Sequence, residues 1–253
     1  MAAYGEFAWF YDEFNGEADY QALFDYVHGE LTANGVADGL LADLGCGTGD
    51  LTLMLSQAGY DVIGIDRSPE MLSVFREKAD ELGISGKVLL LCQDILSMEL
   101  YGTIRAAVST FDTFNHIGPI QQFEKAVRQA AFFMEKGGVF LFDLNTPYKH
   151  EQILGDNAYT VEAPDARCDW QNHYGPAGWV DMQLTITDLP SGQVVRESLR
   201  EYSYSMETVR AALDRYGFTL VKVSDGEDFG PVRPDSQRWI FTAVKRYTQE
   251  ETV

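Results

Sequence analysis

Basic residues are scarce in this 253-residue chain: 19 Lys and Arg stand against 39 Asp and Glu, a formal charge of −20 at neutral pH. That balance repels phosphate backbones and anionic membrane surfaces, so nucleic acid and membrane are disfavoured as partners. Cysteine is scarce too. Cys46, Cys92 and Cys168 cannot all pair, and none has Cys-x-x-Cys or Cys/His metal spacing, so neither a disulfide framework nor a bound metal is expected and a reducing cytoplasm fits best. No apolar run approaches the ~18 residues of a membrane span, and residues 1–7 lack the basic stretch that opens a secretion signal, so neither anchoring nor export is expected. Internal repeats and low-complexity tracts are missing as well. What is abundant is apolar mass, 45% of residues with 15 Phe and 13 Tyr, which suffices for one large core with an insertion.

From Leu40 to Asn145 short β-type runs alternate with amphipathic stretches, the pattern of a parallel sheet covered by helices. Strands are expected at 40–44, 61–66, 88–92, 104–110 and 138–145, with helices at 51–58, 69–82 and 120–135. Ser68 caps the second of these and Pro69 suits its first turn; Gly137-Gly138 should stop the third. Ahead of this core, 7–14 and 20–31 read as aromatic-rich helices. Behind it the period falls to two: Val180, Met182, Leu184 and Ile186 alternate with polar residues, and turns are expected at 175–178 and 189–192. The expected division is an N-terminal helical cap (1–35), an α/β domain (36–147 and 205–247) and an antiparallel β insertion (148–204) that covers substrate or forms a dimer face. A helix over 205–216 and strands at 218–223 and 238–245 close the chain.

Three glycines crowd one strand-to-helix turn in Asp43-Leu-Gly-Cys-Gly-Thr-Gly49, where missing side chains let a ligand lie against the backbone. A dinucleotide fingerprint runs Gly-x-Gly-x-x-Gly. Here the third glycine comes one residue early and Asp50 takes the last place. Asp43 and Asp50 would repel a pyrophosphate, whereas a sulfonium nucleoside carries no phosphate and a positive charge. Asp66 ends the second strand at the distance suited to ribose hydroxyls. At the third strand's end, Asp94 offers a carboxylate for an adenine amine and Ile95 an apolar face.

With Gly64-Ile-Asp66-Arg-Ser-Pro-Glu-Met71 and Gln93-Asp94, these motifs resemble the successive cofactor motifs of class I S-adenosylmethionine-dependent methyltransferases, strongly over 40–145 and loosely beyond. The resemblance implies a Rossmann-like α/β fold: a seven-stranded, mostly parallel, doubly wound sheet of order 3-2-1-4-5-7-6 whose last strand is antiparallel. It implies a cofactor set of Asp43, Gly45, Cys46, Gly47, Gly49, Asp66, Arg67, Met71, Gln93, Asp94, Ile95 and Thr110. Met71 and Ile95 would sandwich adenine.

The acceptor should enter at the strands' C-terminal edge, beside the loop after the fourth strand. His116 there offers an imidazole to take a proton. Together with Tyr11-Asp12 in the N-terminal helix, it resembles the layout of small-molecule N-methyltransferases, including those acting on amino sugars. His116 and Tyr11 are therefore the expected catalytic pair. Asn115, Tyr148, Trp170, Arg200 and Tyr202 are the expected acceptor contacts, with Arg200 and Tyr202 sharing a face with Tyr204, and His173 and Tyr174 completing an aromatic wall. Asp112 and Asn115 are expected to shape their loop or touch cofactor rather than do chemistry, and His28 and His150 to be structural or exposed. No Asn-Pro-Pro-Tyr motif of the kind used on nucleic-acid amines follows the fourth strand. The expectation is a monomeric or homodimeric enzyme that methylates nitrogen or oxygen of a small molecule. A nicotinamide-dependent oxidoreductase and a non-catalytic S-adenosylmethionine-binding module stand as alternatives.

Overall fold

The computed structural model describes residues 8–14 and 18–246; Phe7, where the first helix was expected to start, and Tyr247 lie outside them. Two short helices come first, α1 (Ala8–Phe14) and α2 (Tyr20–Ala33). The core then alternates β1 (Gly39–Leu44), α3 (Asp50–Gln57), β2 (Tyr60–Asp66), α4 (Pro69–Glu81), β3 (Val88–Cys92), β4 (Ile104–Ser109), α5 (Ile120–Phe133) and β5 (Met134–Asn145). A four-stranded unit follows: β6 (Ala158–Glu162), β7 (Ala166–Tyr174), β8 (Trp179–Asp188) and β9 (Val194–Tyr202). After it come α6 (Met206–Arg215), β10 (Phe218–Asp225) and β11 (Arg238–Lys245).

The main sheet runs β3-β2-β1-β4-β5-β11-β10. β1 to β5 are parallel, and β11 lies antiparallel to both β5 and β10, as the resemblance implied. Alternation on β5 explains the layering. Phe140 and Phe142 pack with Phe114, Phe123 and Phe241 on one face, while Val139 and Leu141 pack with Val27, Leu31 and Leu55 on the other. Each fully buried Phe contributes roughly 1.5–3 kcal/mol by leaving water, so both faces need a helical cover. Helix ends follow their local chemistry: Ser68 Oγ accepts from Met71 N at 3.2 Å to start α4, and Ser205 Oγ accepts from Thr208 N at 3.1 Å to start α6.

Gly137-Gly138 do not end α5. The helix stops at Phe133 and β5 begins at Met134, which pairs with Ile104 before the register jumps to Val139 opposite Ala106. The glycines serve the intervening bulge, where a Cβ on Gly138 would stand 2.8 Å from the Arg105 carbonyl.

The second sheet is ordered β6-β7-β8-β9, fully antiparallel. Its inner face carries Cys168, Val180, Met182, Leu184, Ile186, Val195 and Leu199, and Phe10, Tyr11 and Phe14 of α1 pack against it. A single π-helical turn, Lys149–Leu154, links this sheet to β5 and was not expected from the sequence. Tyr204 lies beyond β9 rather than beside Arg200 and Tyr202: it is buried against Phe123, with ring centroids 4.5 Å apart, and its hydroxyl donates to the Gly118 carbonyl. No helix among the described residues is long and apolar enough to cross a membrane.

Candidate active site

At the C-terminal edge of β1, β2 and β3 lies a cavity of about 1150 Å³, solvent at its mouth included. Every residue of the expected cofactor set lines it: Asp43, Gly45, Cys46, Gly47, Gly49, Asp66, Arg67, Met71, Gln93, Asp94, Ile95 and Thr110. The glycines differ in purpose. A Cβ on Gly45 would stand 2.3 Å from Thr113, and one on Gly49 would stand 2.4 Å from the Phe75 ring, so packing forbids side chains at both. At Gly47, with φ +53, a Cβ would meet nothing within 4 Å. That backbone faces open space and suits close approach by a nucleoside.

Asp66 accepts from Gly47 N at 3.0 Å and Ser68 N at 2.8 Å. Burial pushes its carboxyl up, partly offset by those N–H groups. Its oxygens thus brace the turn and still border the cavity. Asp94 likewise accepts from Leu96 N at 2.8 Å. The electrostatic expectation needs correction. Burial pushes Asp43, whose carboxylate accepts from Thr52 Oγ1, up to about 7, and Asp50 lies 2.8 Å from Lys78 Nζ. Both charges are muted by these surroundings. The site stays acidic because Asp12, 2.6 Å from the same nitrogen, leaves two carboxylates to one ammonium. Asp12 also accepts from Thr48 Oγ1 at 2.6 Å, which ties α1 down over the glycine turn.

A second chamber of about 970 Å³ shares Tyr11, Phe111 and His116 with the first. One side is apolar, with Phe14, Leu154, Val161, Trp170, Met182 and Leu184. The other is polar, with Asp112, Asn145, Lys149, Glu201 and Arg238. Phe111 and Asp112 sit at φ 55 and 57, a conformation that costs about 1–2 kcal/mol per residue for an L side chain. Asp143 holds them there, accepting from their N–H groups at 2.8 and 2.7 Å. Arg238 clamps the arrangement, donating to Asp143 at 2.7 Å and Asp112 at 2.6 Å.

His116 Nδ1 lies 3.2 Å from the Arg200 carbonyl, which can only accept, so Nδ1 carries the hydrogen. Nε2 lies 3.5 Å from Asp112 Oδ2 and 3.6 Å from Glu201 Oε1. Burial pulls the imidazole pKa down, but the Asp112 hydrogen bond and the charges of Glu201 and Asp112 prevail and raise it. Asp112 is buried, yet the Arg238 guanidinium and His116 hold it well below the usual carboxylate range. Tyr11 is driven well above its ordinary pKa, chiefly by burial and then by Tyr20 and Asp112, so its phenol stays protonated. Lys149 Nζ donates to Asn145 Oδ1 at 2.9 Å, and burial with the nearby Arg238 lowers its pKa.

The other expected acceptor contacts fare unevenly. Trp170 lines the second chamber. Asn115 is fully buried, its amide bonded to the Asn145 and Tyr202 carbonyls and to Asn145 N, so it joins loops and does not face the chamber. Tyr148 is half-buried at the start of the π turn and lines neither chamber. Arg200 points to the outer face, paired across the strand with Asp181 and stacked 4.2 Å over Trp179; it and Tyr202 border a third cleft beside His116. His173 is exposed beside Asp156. Of the residues called structural or exposed, His150 is completely buried and His28 contacts the Tyr60 hydroxyl at 3.2 Å. Missed by the sequence reading were Tyr20, Lys149, Glu201 and Arg238. Only Glu201 left a signal: it falls in phase with Val195 and Leu199, the buried side of β9.

A family model described as methyltransferase domain matches residues 41–138. A Bacillus subtilis protein named as a methyltransferase is 26% identical over 251 residues, which cover 97% of this chain and 98% of that protein. An uncharacterized methyltransferase of Bacillus mycoides is 32% identical over 171 residues, covering 65% of this chain and 74% of the relative. Among solved structures, an S-adenosylmethionine-dependent methyltransferase from Clostridium acetobutylicum matches with a TM-score of 0.87 at 26% identity, over 96% of this chain and 98% of the other. A sugar N-methyltransferase from Streptoalloteichus matches at 0.75 and 18% identity, over 98% and 95% of the two chains, a likeness of fold alone.

Proposed function

The chain belongs to the class I S-adenosylmethionine-dependent methyltransferases, and from that premise we propose that it methylates an amine or hydroxyl of a small molecule held in the second chamber. The observation that carries this reading is the junction of the two cavities at Tyr11, Phe111 and His116. Family membership sets aside the nicotinamide-dependent alternative.

In this reading Gly45, Gly47 and Asp66 hold the methionine and ribose parts, and Met71, Asp94 and Ile95 hold the adenine. Bound S-adenosylmethionine supplies an electrophilic methyl group: its S–C bond breaks as the acceptor's lone pair forms the new bond, leaving S-adenosylhomocysteine. The protein's part is alignment, exclusion of water and removal of a proton. Tyr11, kept as a phenol, donates a hydrogen bond that orients the acceptor. His116 Nε2 takes the acceptor's proton, and Asp112 and Glu201 stabilise the imidazolium. The chamber favours an acceptor with an apolar body and its nucleophile at the polar end. The insertion 148–204 acts as the acceptor's cover, and sugar N-methylation by a protein of the same fold agrees with a small acceptor.

The test is transfer of labelled methyl from S-adenosylmethionine into fractionated cell extract. Label should appear in the small-molecule fraction, and label confined to protein or nucleic acid would refute the acceptor class. On the acceptor so found, His116→Ala should lower turnover and leave donor affinity intact; an unchanged rate would remove His116 as proton acceptor.

A further inference from the structure

Lys149 opens the π-helical turn behind β5 and lines the polar side of the second chamber. Thr146 Oγ1 accepts from its backbone N–H at 3.0 Å, and the side chain folds back so that Nζ donates to Asn145 Oδ1 at 2.9 Å. An ammonium carries more donors than one amide oxygen can use. Among the described residues no carboxylate pairs directly with Nζ, so its remaining hydrogens are left to the chamber it lines. Burial pulls its pKa down and the Arg238 guanidinium adds to that, while Asp112, Glu201 and Asp143 offset the loss only in part.

Those carboxylates have closer partners than Lys149. Arg238 holds Asp112 at 2.6 Å and Asp143 at 2.7 Å. Glu201 Oε2 accepts from Asn145 Nδ2 at 2.8 Å and lies 3.1 Å from His150 Nε2. Holding an ammonium away from water is costly unless an anion meets it, and here the space left for that anion is the chamber. Across from Lys149, Leu154, Trp170 and Met182 supply an apolar side. The chain's formal charge of −20 does not oppose an anion at this point, because exposed charges are largely screened beyond about 8 Å at physiological salt. With Arg238 already engaged, one ammonium suits a single negative charge better than a phosphate dianion.

We propose that Lys149 binds a carboxylate of the acceptor, so that the molecule methylated is a carboxylic acid with an apolar body and its amine or hydroxyl nucleophile at the same polar end. This rests on the second chamber being the acceptor's place. The apolar body lies toward Trp170, the carboxylate takes the free donors of Nζ, and Asn145 Oδ1 keeps the ammonium aimed. Removing the cation should therefore weaken acids selectively, whereas a purely structural lysine would affect charged and neutral ligands of one shape alike.

The experiment is titration calorimetry of the full chain, saturated with S-adenosylhomocysteine, against phenylacetate, phenylacetamide and benzylphosphonate. Phenylacetate should bind about tenfold to a hundredfold tighter than the amide, the range expected of a hydrogen bond to a charged group, and tighter than the phosphonate. Lys149→Met should bring phenylacetate down to the level of the amide and leave S-adenosylhomocysteine affinity unchanged, since Lys149 does not line the first cavity. Lys149→Arg, which keeps a cation, should retain part of the preference. Equal binding of acid and amide, binding of neither, a tighter phosphonate, or a preference that survives in Lys149→Met overturns the proposal. If Lys149→Met does not fold, Lys149→Gln takes its place with the same expected loss. Transfer of labelled methyl separates this proposal from the reading beneath it. Label in a small molecule that has no carboxylate overturns the role of Lys149 and leaves small-molecule methylation standing; label confined to protein or nucleic acid, with the acid preference intact, refutes the acceptor class and leaves the carboxylate site.

Discussion

Replacing Gly47 by alanine should separate donor binding from folding, and Gly49→Ala supplies the contrast. At φ +53 an alanine costs about 1–2 kcal/mol in backbone strain. Because its Cβ would meet no protein atom within 4 Å, overpacking adds nothing. For a chain of this length that lowers Tm by roughly 2–8 °C. Gly49→Ala carries the same strain at φ +89 and sets a methyl 2.4 Å from the ring of Phe75, which is fully buried and has nowhere to go. Overpacking adds about 1–3 kcal/mol, for a total of about 2–5. Thermal shift then reads the donor. At a hundred times Kd, S-adenosylmethionine stabilises the wild type by about 2.7 kcal/mol, a rise of roughly 5–11 °C. A methyl on Gly47 occupies the space that a nucleoside would use. If affinity falls a hundredfold, the same donor concentration contributes only about 0.4 kcal/mol, a rise of roughly 1–2 °C. Gly47→Ala that melts only slightly early yet keeps the full donor-induced rise would refute the assignment of this backbone to the donor.

Asp66→Ala should weaken donor binding by about 1–3 kcal/mol in titration calorimetry, because a buried hydroxyl pair loses its acceptor. Asp43→Asn tests the burial of that carboxyl. Its native pKa of about 7 exceeds the ordinary 3.8, so the native state keeps a proton that the unfolded chain has lost, and stability falls as pH rises from about 4 to about 7. The asparagine variant should gain on the wild type across that window, by up to about 1.4 kcal/mol per pH unit, in urea unfolding at stepped pH. Arg238→Gln should lower stability at pH 7 by about 3–5 kcal/mol, since Asp112 and Asp143 lose their shared cation. The loss should shrink in acid as those carboxylates protonate, and a loss that is constant from pH 7 to pH 5 would contradict it.

The cavity at the ends of β1, β2 and β3 was legible in the sequence because its signals are local. A parallel sheet brings Gly45, Asp66 and Asp94 to one edge simply by ending strands there, so three short motifs in order locate the cavity. The polar end of the second chamber was not legible, because it is assembled across long separations. Arg238 reaches Asp112 over 126 positions, and His150 reaches Glu201 over 51. Neither spacing nor periodicity reports such meetings. The bulge in β5 was missed for a related reason: Gly137-Gly138 is a stop signal in either reading, and only the partner strand decides which element it interrupts.

On β9 the error was one of phase, and phase was available. Arg200 and Tyr202 attract attention by chemistry, but alternation groups Glu201 with Val195 and Leu199, on the side that faces Met182 and Leu184. A carboxylate in phase with a buried apolar row is costly unless something answers it. Arg200 finds its partner at once across the strand, in Asp181, on the wet face. Glu201 has no such neighbour on β8, where Val180 stands opposite. Its partners must come from another element, and the π turn supplies one in His150 while the loop after β4 supplies His116. On a half-buried strand, the polar residue that keeps step with the core therefore points to chemistry more surely than the conspicuous cation beside it.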